Sequence, residues 1–396
     1  MLDGCTPWPG EFVDRYWLSG HWRGRTLDGL LRDAAKTDPA RTALVHAGTR
    51  LTYGQLNRRV ERTAAGFKLI GVMPRQRVVV QLPPVPEFVI TVFALLRMGA
   101  VPVICPLSYR AEETARVVRV AQALCYVGPA TYDGFDHRAV AADIAQGPFL
   151  RRVFTWEPPG AASALGGATV DEVGCHYFPL ASVDAAPEPM PHVAAGDVAL
   201  LLVSDGQHLV PRTHNDLACQ ARTAAEAVGL GPQDVCLVAG DAASAAGFAC
   251  PGLVGALGAG ATVVLAEGAA EVASLVAEEG VTVVAGVSRS ELASGGIDLS
   301  GVLVVEELLH GSVEGVALRG GPGGALRPLS AEDEVRVAGA DGTEVPVGEV
   351  GELQVRGPSV VRGYYRGAGG ERFCADGFFR TGESVRRQDD GSLLPG

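Results

Sequence analysis

The sequence predicts an α/β protein in which two αβ subdomains with buried, mostly parallel sheets precede a small β-barrel subdomain. Two observations predict this architecture. Through most of the chain, β-branched apolar runs alternate with segments of helical periodicity, an order typical of βαβ units in sheets covered on both faces. After Pro328 the pattern changes to short strands separated by Gly-rich turns, which favours a small barrel or curled sheet. The subdomains are therefore assigned to residues 1–192, 193–328 and 329–396.

The first subdomain contains a helix whose start is encoded locally. Thr52 and Gln55 have the spacing of a capping box, and apolar residues recur on one stripe until Gly71 ends the helix. In chain order there follow a strand at 77–82, a helix at 86–98 and a strand at 101–105. Residues 149–192 are rich in Pro, Gly and Ala and have weak periodicity, so we expect a surface connection there, with room for one or two strands.

The second subdomain repeats the alternation of strands and helices. Strands are predicted at 198–203, 235–239, 261–265, 281–285 and 302–305, and helices at 214–228 and 248–257. In the third subdomain, strands at 334–337 and 352–355 lie on either side of a Gly-containing turn at 340–342. This last pairing is the basis for expecting a small antiparallel unit.

Charge and composition exclude several classes of function. The chain has 33 Lys and Arg against 45 Asp and Glu, a formal net charge of -12, which argues against nucleic-acid binding. The longest apolar stretch, 88–96, is too short to cross a bilayer, and the start lacks the basic and apolar regions of a signal peptide. The eight cysteines form no C-x-x-C pair, so a metal site built by the protein alone is not expected. We expect a cytoplasmic protein without membrane or nucleic-acid contacts.

Several short segments occur in an order that matches a known family. They are MLDGCTPWP at 1–9, RVVVQLP at 77–83, PRTHND at 211–216, RGP at 356–358, RGYYR at 362–366 and DGFFRTG at 376–382. Together they resemble stand-alone 2,3-dihydroxybenzoate–AMP ligases, the aryl-acid branch of the adenylate-forming (acyl-AMP ligase) superfamily. The resemblance covers nearly the whole chain. It implies the large domain of these enzymes, with two αβ subdomains and a small β-barrel.

The resemblance also implies an activity. Members of this family activate an aromatic acid with Mg·ATP, release pyrophosphate, and pass the acyl group from the adenylate to a carrier-protein thiol. Implied cofactors are therefore ATP or AMP and Mg²⁺. Implied partners are an aryl carrier protein or a related ligase or synthetase of siderophore or nonribosomal-peptide biosynthesis.

The family's phosphate-binding loop is altered in this sequence. Such loops place backbone N–H groups and a lysine around the phosphates. The segment after Val203 is shorter, has a single glycine and no lysine, and adds a carboxylate at Asp205. We favour a tight loop entering the next helix, and a remnant nucleotide site is the alternative interpretation. The remnant consists of Ser204, Gly206, His208 and Glu383, the last standing where the family has a ribose-binding aspartate.

Of two further family motifs, one is changed in this sequence and the other is retained. Where the family has a His-Asn pair and a hydroxyl residue in its aryl-acid pocket, this chain has Ser244, Ala245 and Cys250. Such a pocket either accepts an apolar group or is filled by packing, and we favour packing. The Gly-x-x-Glu-Gly turn survives at 311–315, so Glu314 is a candidate magnesium ligand.

The sequence ends at Gly396, before the hinge and lid domain that supply the family's adenylation lysine. We therefore expect the C-terminal lid domain to be absent. Together with the altered loops, this predicts a truncated, degenerate ligase homologue, a pseudoenzyme unable to adenylate by itself and used as an accessory or binding protein. The alternative is an active ligase for an acid such as 2,3-dihydroxybenzoate or salicylate, with any missing domain supplied by another chain.

Overall fold

The computed structural model describes residues 2–160, 167–204, 208–240, 244–294, 296–297, 299–321, 324–367 and 369–396. The elements up to residue 192 are α1 (Gly10–Leu18), α2 (Leu27–Thr37), β1 (Thr42–His46), β2 (Thr49–Thr52), α3 (Tyr53–Leu69), β3 (Arg77–Val80), α4 (Pro86–Arg97), β4 (Val101–Ile104), α5 (Ala111–Ala121), β5 (Cys125–Pro129), β6 (Thr131–Tyr132), β7 (Phe135–Asp136), α6 (His137–Ala145), β8 (Arg152–Trp156), β9 (Thr169–Val170) and β10 (His176–Pro179).

The remaining elements continue the alternation and then change to strands alone. They are β11 (Val198–Ser204), β12 (His208–Thr213), α7 (His214–Val228), β13 (Val235–Ala239), α8 (Ala245–Phe248), α9 (Gly252–Ala259), β14 (Thr262–Ala266), α10 (Ala269–Glu279), β15 (Val283–Ala285), α11 (Arg289–Ser294), β16 (Leu303–Val304), β17 (Leu309–Ser312), β18 (Gly315–Gly320), β19 (Leu326–Pro328), β20 (Glu334–Ala338), β21 (Val350–Arg356), β22 (Phe379–Arg387) and β23 (Leu393–Pro395).

Two mixed sheets with helices form the α/β body. One has six strands in the order β16-β15-β13-β14-β1-β2, and the other has eight in the order β12-β11-β4-β3-β5-β8-β10-β9. Most neighbours in both sheets are parallel, as the alternating pattern predicts. Each sheet takes strands from both sides of residue 192. The two sheets therefore interleave along the chain, and the division of the sequence into subdomains remains a prediction.

Local signals account for several element boundaries. Thr52 accepts a hydrogen bond from the Gln55 backbone N–H, and the Gln55 side chain accepts one from the Thr52 N–H, so the predicted capping box starts α3. The helix α4 is buried on every side, which fits its apolar residues all round. Its last residue, Arg97, is nearly buried and pairs at 2.7 Å with Asp28 of α2, which ties the two helices together.

The connection over 149–192 contains strands, as the sequence allowed, but its predicted surface position is wrong for residues 152–156. These residues form β8, an inner strand of the eight-stranded sheet, and Phe154 is fully buried against Phe67. The strand is short and is followed by a Pro- and Gly-rich segment. Its apolar residues are therefore too few to give a clear strand pattern in that part of the sequence.

The predicted β-barrel is also corrected. The last unit is a seven-stranded sheet in the order β17-β18-β19-β23-β22-β21-β20, with every described pairing antiparallel. Within the described residues its two end strands do not pair, so the sheet is open. Strand spacing and turn residues predict antiparallel pairing, whereas closure depends on strand tilt and register, which these local signals do not set. In the described residues no helix has both the length and the apolar character needed to span a membrane.

Candidate nucleotide and acid site

A cavity of about 450 Å³ lies where the α/β body meets the antiparallel sheet. It brings together four of the residues predicted from sequence, Ser204, Ser244, Glu314 and Glu383. They come from the end of β11, the start of α8, the turn between β17 and β18, and strand β22. The tertiary fold therefore gathers residues up to 179 positions apart into one place.

The Glu314 carboxylate is almost completely buried, with 2% of the residue exposed. Its Oε1 accepts hydrogen bonds from Ser204 Oγ at 2.5 Å and from Tyr364 OH at 2.8 Å, and its Oε2 accepts one from Ser312 Oγ. The following residue, Gly315, has φ of 150°, and a Cβ there would lie 2.4 Å from the Ser359 carbonyl oxygen. The turn is therefore fixed by glycine, and the carboxylate is held by three hydroxyl groups.

This arrangement does not fit a preformed magnesium site. Mg²⁺ prefers six oxygen ligands in octahedral geometry and keeps several waters. At Glu314 three hydroxyl donors already occupy the two carboxylate oxygens, so a metal ion would have to compete with them. No cluster of three His, Cys, Asp or Glu suited to a metal ion occurs among the described residues.

His208 is linked to this carboxylate through Tyr364 and is not among the residues that line the cavity. It begins strand β12, pairs in register with Ser204, and its ring stacks on Tyr364 with centroids 4.5 Å apart and planes 16° apart. Because His208 is on a strand and α7 begins only at His214, the interpretation of this segment as a tight helix-entry loop is wrong. The predicted site residue Gly206, like Asp205, lies outside the described residues.

Glu383 is engaged by a partner that sequence reasoning missed. His310 Nε2 lies 2.6 Å from Glu383 Oε2, and both side chains are a little under half exposed. The hydrogen bond to Glu383 raises the pKa of His310 above its ordinary value, although partial burial opposes this. The two residues are 73 positions apart, and no local pattern in the sequence links them.

The structure describes the contacts of two of the three predicted acid-pocket residues. Ser244 Oγ accepts a hydrogen bond from the Gly247 N–H at 3.0 Å, at the start of α8. Cys250 is 2% exposed, and burial raises the pKa of its thiol to about 12, so it behaves as a small apolar side chain. The side chain of Ala245 lies outside what the structure describes. Whether packing fills the predicted acid pocket stays a prediction.

Sequence analysis missed Arg372, which lies in the cavity wall, and Glu306, a buried carboxylate outside that wall. Arg372 lines the cavity, and its guanidinium lies 5.2 Å from the centroid of the Phe379 ring. Glu306 accepts a hydrogen bond from the Gly286 N–H at 2.7 Å, while its Oε2 is buried without a donor. Burial raises the pKa of Glu306.

Comparison with known proteins identifies the family. The sequence model described as AMP-binding enzyme matches residues 31–290, more than half of the chain. The chain belongs to the AMP-binding enzyme family. The chain is 36% identical to triostin synthetase I of Streptomyces triostinicus, over 99% of this chain and 79% of that protein. It is 35% identical to the salicyl-AMP ligase / salicyl-S-ArCP synthetase of Mycobacterium tuberculosis (99% and 76%) and 32% identical to the 2,3-dihydroxybenzoate-AMP ligase of Bacillus subtilis (100% and 79%).

The solved structures give the same fold. The apo structure of MbtA from Mycobacterium smegmatis superimposes with a TM-score of 0.85 at 34% identity, covering all of this chain and 80% of that chain. This AMP-binding enzyme family member therefore has the α/β architecture of the N-terminal domain of adenylate-forming enzymes. The aryl-acid branch suggested by the ordered sequence segments agrees with these relatives.

Proposed function

We propose that this protein is an aryl-acid–AMP ligase homologue that does not form an acyl-adenylate by itself. In this proposal it acts as an accessory or binding protein beside an aryl carrier protein or a related synthetase of siderophore or nonribosomal-peptide biosynthesis. The main support for the proposal is that the Glu314 carboxylate accepts hydrogen bonds from the hydroxyls of Ser204, Ser312 and Tyr364. A metal ion would have to displace these donors before it could bridge Glu314 to a triphosphate.

Three further observations support the loss of adenylation. The segment at 204–208 has no lysine and carries Asp205, which would repel the phosphates. Glu383, the candidate ribose contact, is held by His310. Each charge-assisted hydrogen bond contributes about 1.5–3 kcal/mol, so losing two or three of them weakens binding by roughly a thousandfold.

The chemical class of ligand follows from the relatives. One is a salicyl-AMP ligase and another a 2,3-dihydroxybenzoate-AMP ligase, and the first also bears the name salicyl-S-ArCP synthetase. These names support an aromatic acid as the ligand class and an aryl carrier protein as the partner class.

The decisive experiment is acid-dependent ATP–pyrophosphate exchange with salicylate and 2,3-dihydroxybenzoate, run beside the Bacillus subtilis relative as an active control. We expect no exchange above background from this protein. Calorimetry should give equal affinities for AMP and Mg·ATP. Robust exchange, or Mg·ATP binding about tenfold tighter than AMP, contradicts the proposal.

An active ligase is the second candidate, and one observation favours it. Arg372 places a positive charge in the wall of the 450 Å³ cavity that also contains Ser204 and Glu314. The segment after Val203 lacks the lysine of the family's phosphate-binding loop. If Arg372 replaces that lysine, exchange activity is present and Arg372→Gln abolishes it. Arg386→Gln, which removes an exposed positive charge from the same strand-rich unit, is the matched control.

A further inference from the structure

The surface of α1 and of the loop that follows it carries an exposed apolar pair, Trp17 and Leu18. Leu18 is 89% exposed, the largest exposed fraction among the large apolar side chains that the structure describes as exposed, and Trp17 is 45% exposed. Single exposed apolar residues are common on protein surfaces, whereas two neighbouring ones that include a tryptophan are typical of protein interfaces. Neither residue lines the candidate nucleotide and acid site.

The apolar pair is held on a rigid support. On the opposite side of α1, Tyr16 is fully buried, and Arg15 pairs with Glu334 of β20 at 2.6 Å. In the loop after α1, Gly24 has a φ of 66°, and a Cβ there would lie 2.8 Å from Trp17 Cη2. The indole therefore rests against the Gly24 backbone, and a side chain at that position would displace it. Because this surface is already ordered, a partner that binds it has few side chains to order.

Charges of opposite sign lie at the two ends of the apolar pair. Asp14 is exposed on the same face of α1 as Leu18, one helical turn earlier, and no salt bridge among the described residues includes it. Arg23 is exposed in the loop after α1, next to the glycine that supports the Trp17 indole. Its Nε donates to the Gly20 carbonyl at 3.0 Å, and in the described part of the chain it forms no salt bridge. The surface thus has a carboxylate at one end and a guanidinium at the other.

We propose that this surface, formed by α1 and residues 19–25, binds a second copy of this chain about a two-fold axis. Two copies of α1 that pack antiparallel bring Leu18 of each copy near the axis and place Asp14 of one copy beside Arg23 of the other. A surface with opposite charges at its ends is complementary to itself in this arrangement, since both charge pairs form at once.

The signs of the charges favour a second copy over a partner of uniform charge. A partner whose surface is acidic throughout would attract Arg23 but repel Asp14, and a basic one would do the reverse. The inference goes beyond the proposed function, because no residue of the candidate nucleotide and acid site takes part.

The size of the surface sets the expected strength of the contact. The helix α1 has nine residues, so it is about 13 Å long. Two such helices with their following loops form a small interface, in the class below about 1,200 Å² that is typical of weak and transient complexes. We therefore expect a reversible dimer with a Kd of about 1–100 µM.

Sedimentation velocity of the full chain between about 1 and 200 µM tests the proposal. We expect the weight-average mass to rise from that of a monomer towards that of a dimer. Leu18→Glu places like charges near the axis and removes apolar contact, so it should weaken dimerisation about tenfold or more. Leu69→Glu is the matched control. Leu69 is a 77% exposed leucine at the end of α3, outside the proposed surface, and its change should leave dimerisation unaltered.

Charge reversal tests the antiparallel arrangement. Asp14→Arg and Arg23→Glu each bring like charges together, and each should weaken dimerisation about tenfold or more. The double variant with both changes restores opposite signs and should recover the affinity of the unaltered protein to within about threefold. Thermal unfolding of each variant should give an unchanged midpoint, because these side chains are exposed.

A chain that stays monomeric up to about 200 µM overturns the proposal. So does a dimer that Leu18→Glu leaves unchanged, because its interface lies elsewhere. If the double variant does not recover what the single reversals lose, the antiparallel arrangement is wrong. Particles that grow beyond a dimer would contradict a closed two-fold contact. All these outcomes are independent of whether the protein supports ATP–pyrophosphate exchange.

Discussion

At the scale of single residues, Glu314 illustrates how a family motif can survive while its chemical environment changes. A buried carboxylate is costly unless hydrogen bonds to its charged form replace the lost water. Three hydroxyl donors do so here, and they occupy the atoms that a metal would need. The residue is better described as a hydrogen-bond acceptor that organises the turn than as a metal ligand.

The first prediction concerns Glu314→Ala. The change leaves three hydroxyls without their acceptor, and we expect the free energy of unfolding to fall by about 2–4 kcal/mol. Urea denaturation measures this, with Ser312→Ala as a control that removes only one donor and should cost less. Adenosine affinity should stay unchanged. A rise in melting temperature on adding Mg²⁺, lost in Glu314→Ala, would instead identify a metal ligand.

The second prediction concerns the pair of His310 and Glu383. The raised pKa of His310 means that the pair stabilises the fold fully below about pH 6.5, the ordinary histidine value, and that this contribution is lost as pH rises through the raised pKa. The side chains are 41% and 47% exposed, so the stabilisation is at most about 1 kcal/mol. We propose that deprotonation of His310 also frees the Glu383 carboxylate to accept ribose hydroxyls.

Adenosine binding should therefore strengthen between pH 6 and pH 8, and His310→Ala should remove this dependence while raising the affinity at pH 6. Calorimetry with adenosine, which has no phosphate to titrate, measures both. Glu383→Ala is expected to abolish the residual binding. Equal affinity of the unaltered protein at both pH values would show that Glu383 does not contact the nucleoside.

At the scale of elements, Arg212 connects β12 and α7 to the antiparallel sheet. It is fully buried and pairs with Asp216 at 2.8 Å, donates to Gln220 at 2.7 Å, and reaches the carbonyls of Val313 and Ser359, both at 2.9 Å. Burial raises the pKa of Asp216 despite the neighbouring guanidinium. The position of the Glu314 turn thus depends on a charge pair in the adjoining α/β body.

The third prediction follows from this pair. Arg212→Met leaves Asp216 buried without its partner, and we expect a loss of about 3–5 kcal/mol in the free energy of unfolding. The double change Arg212→Met with Asp216→Leu should recover much of it. Arg138→Gln, which breaks an exposed ion pair on α6, is the control and should cost less than about 1 kcal/mol. Equal stability of the two arginine variants would contradict this account.

At the scale of the whole molecule, the two α/β sheets share strands from both parts of the chain. The strands β1 and β2 complete a sheet otherwise built after residue 234, and β11 and β12 complete a sheet otherwise built before residue 180. The N-terminal segment also contacts the last unit, because Trp22 Nε1 donates to the Pro358 carbonyl at 3.0 Å. Unfolding one part of the sequence therefore removes strands or contacts from the others.

The fourth prediction is a single cooperative unfolding transition. Trp22 reports on the junction between the N-terminal segment and the antiparallel sheet, and Trp156 lies in β8 of the eight-stranded sheet. Tryptophan fluorescence and far-ultraviolet circular dichroism should give the same denaturation midpoint. A broad transition with dye binding to exposed apolar surface would indicate a decayed relic.

The sequence by itself determined much of the local structure. The Thr52 cap, the strand at β3 and the buried helix α4 were predicted because capping spacing and apolar periodicity act within a few residues. Ordered motifs also nominated Ser204, Glu314 and Glu383, which the fold brings to one cavity. A motif identifies a candidate residue by its position in the chain, and the family's fold places that residue at the site.

Only the tertiary structure decided what surrounds those residues. The partners of Glu314 include Ser204, 110 positions away, and Tyr364, 50 positions away, while Glu383 is paired with His310 across 73 positions. The open last sheet is likewise set by how distant elements pack. The spacing of residues within a short segment reflects the conformation that the backbone prefers there. Hydrogen-bond partners, burial and the charges around a side chain depend instead on residues far away in the sequence, and no short motif identifies those residues.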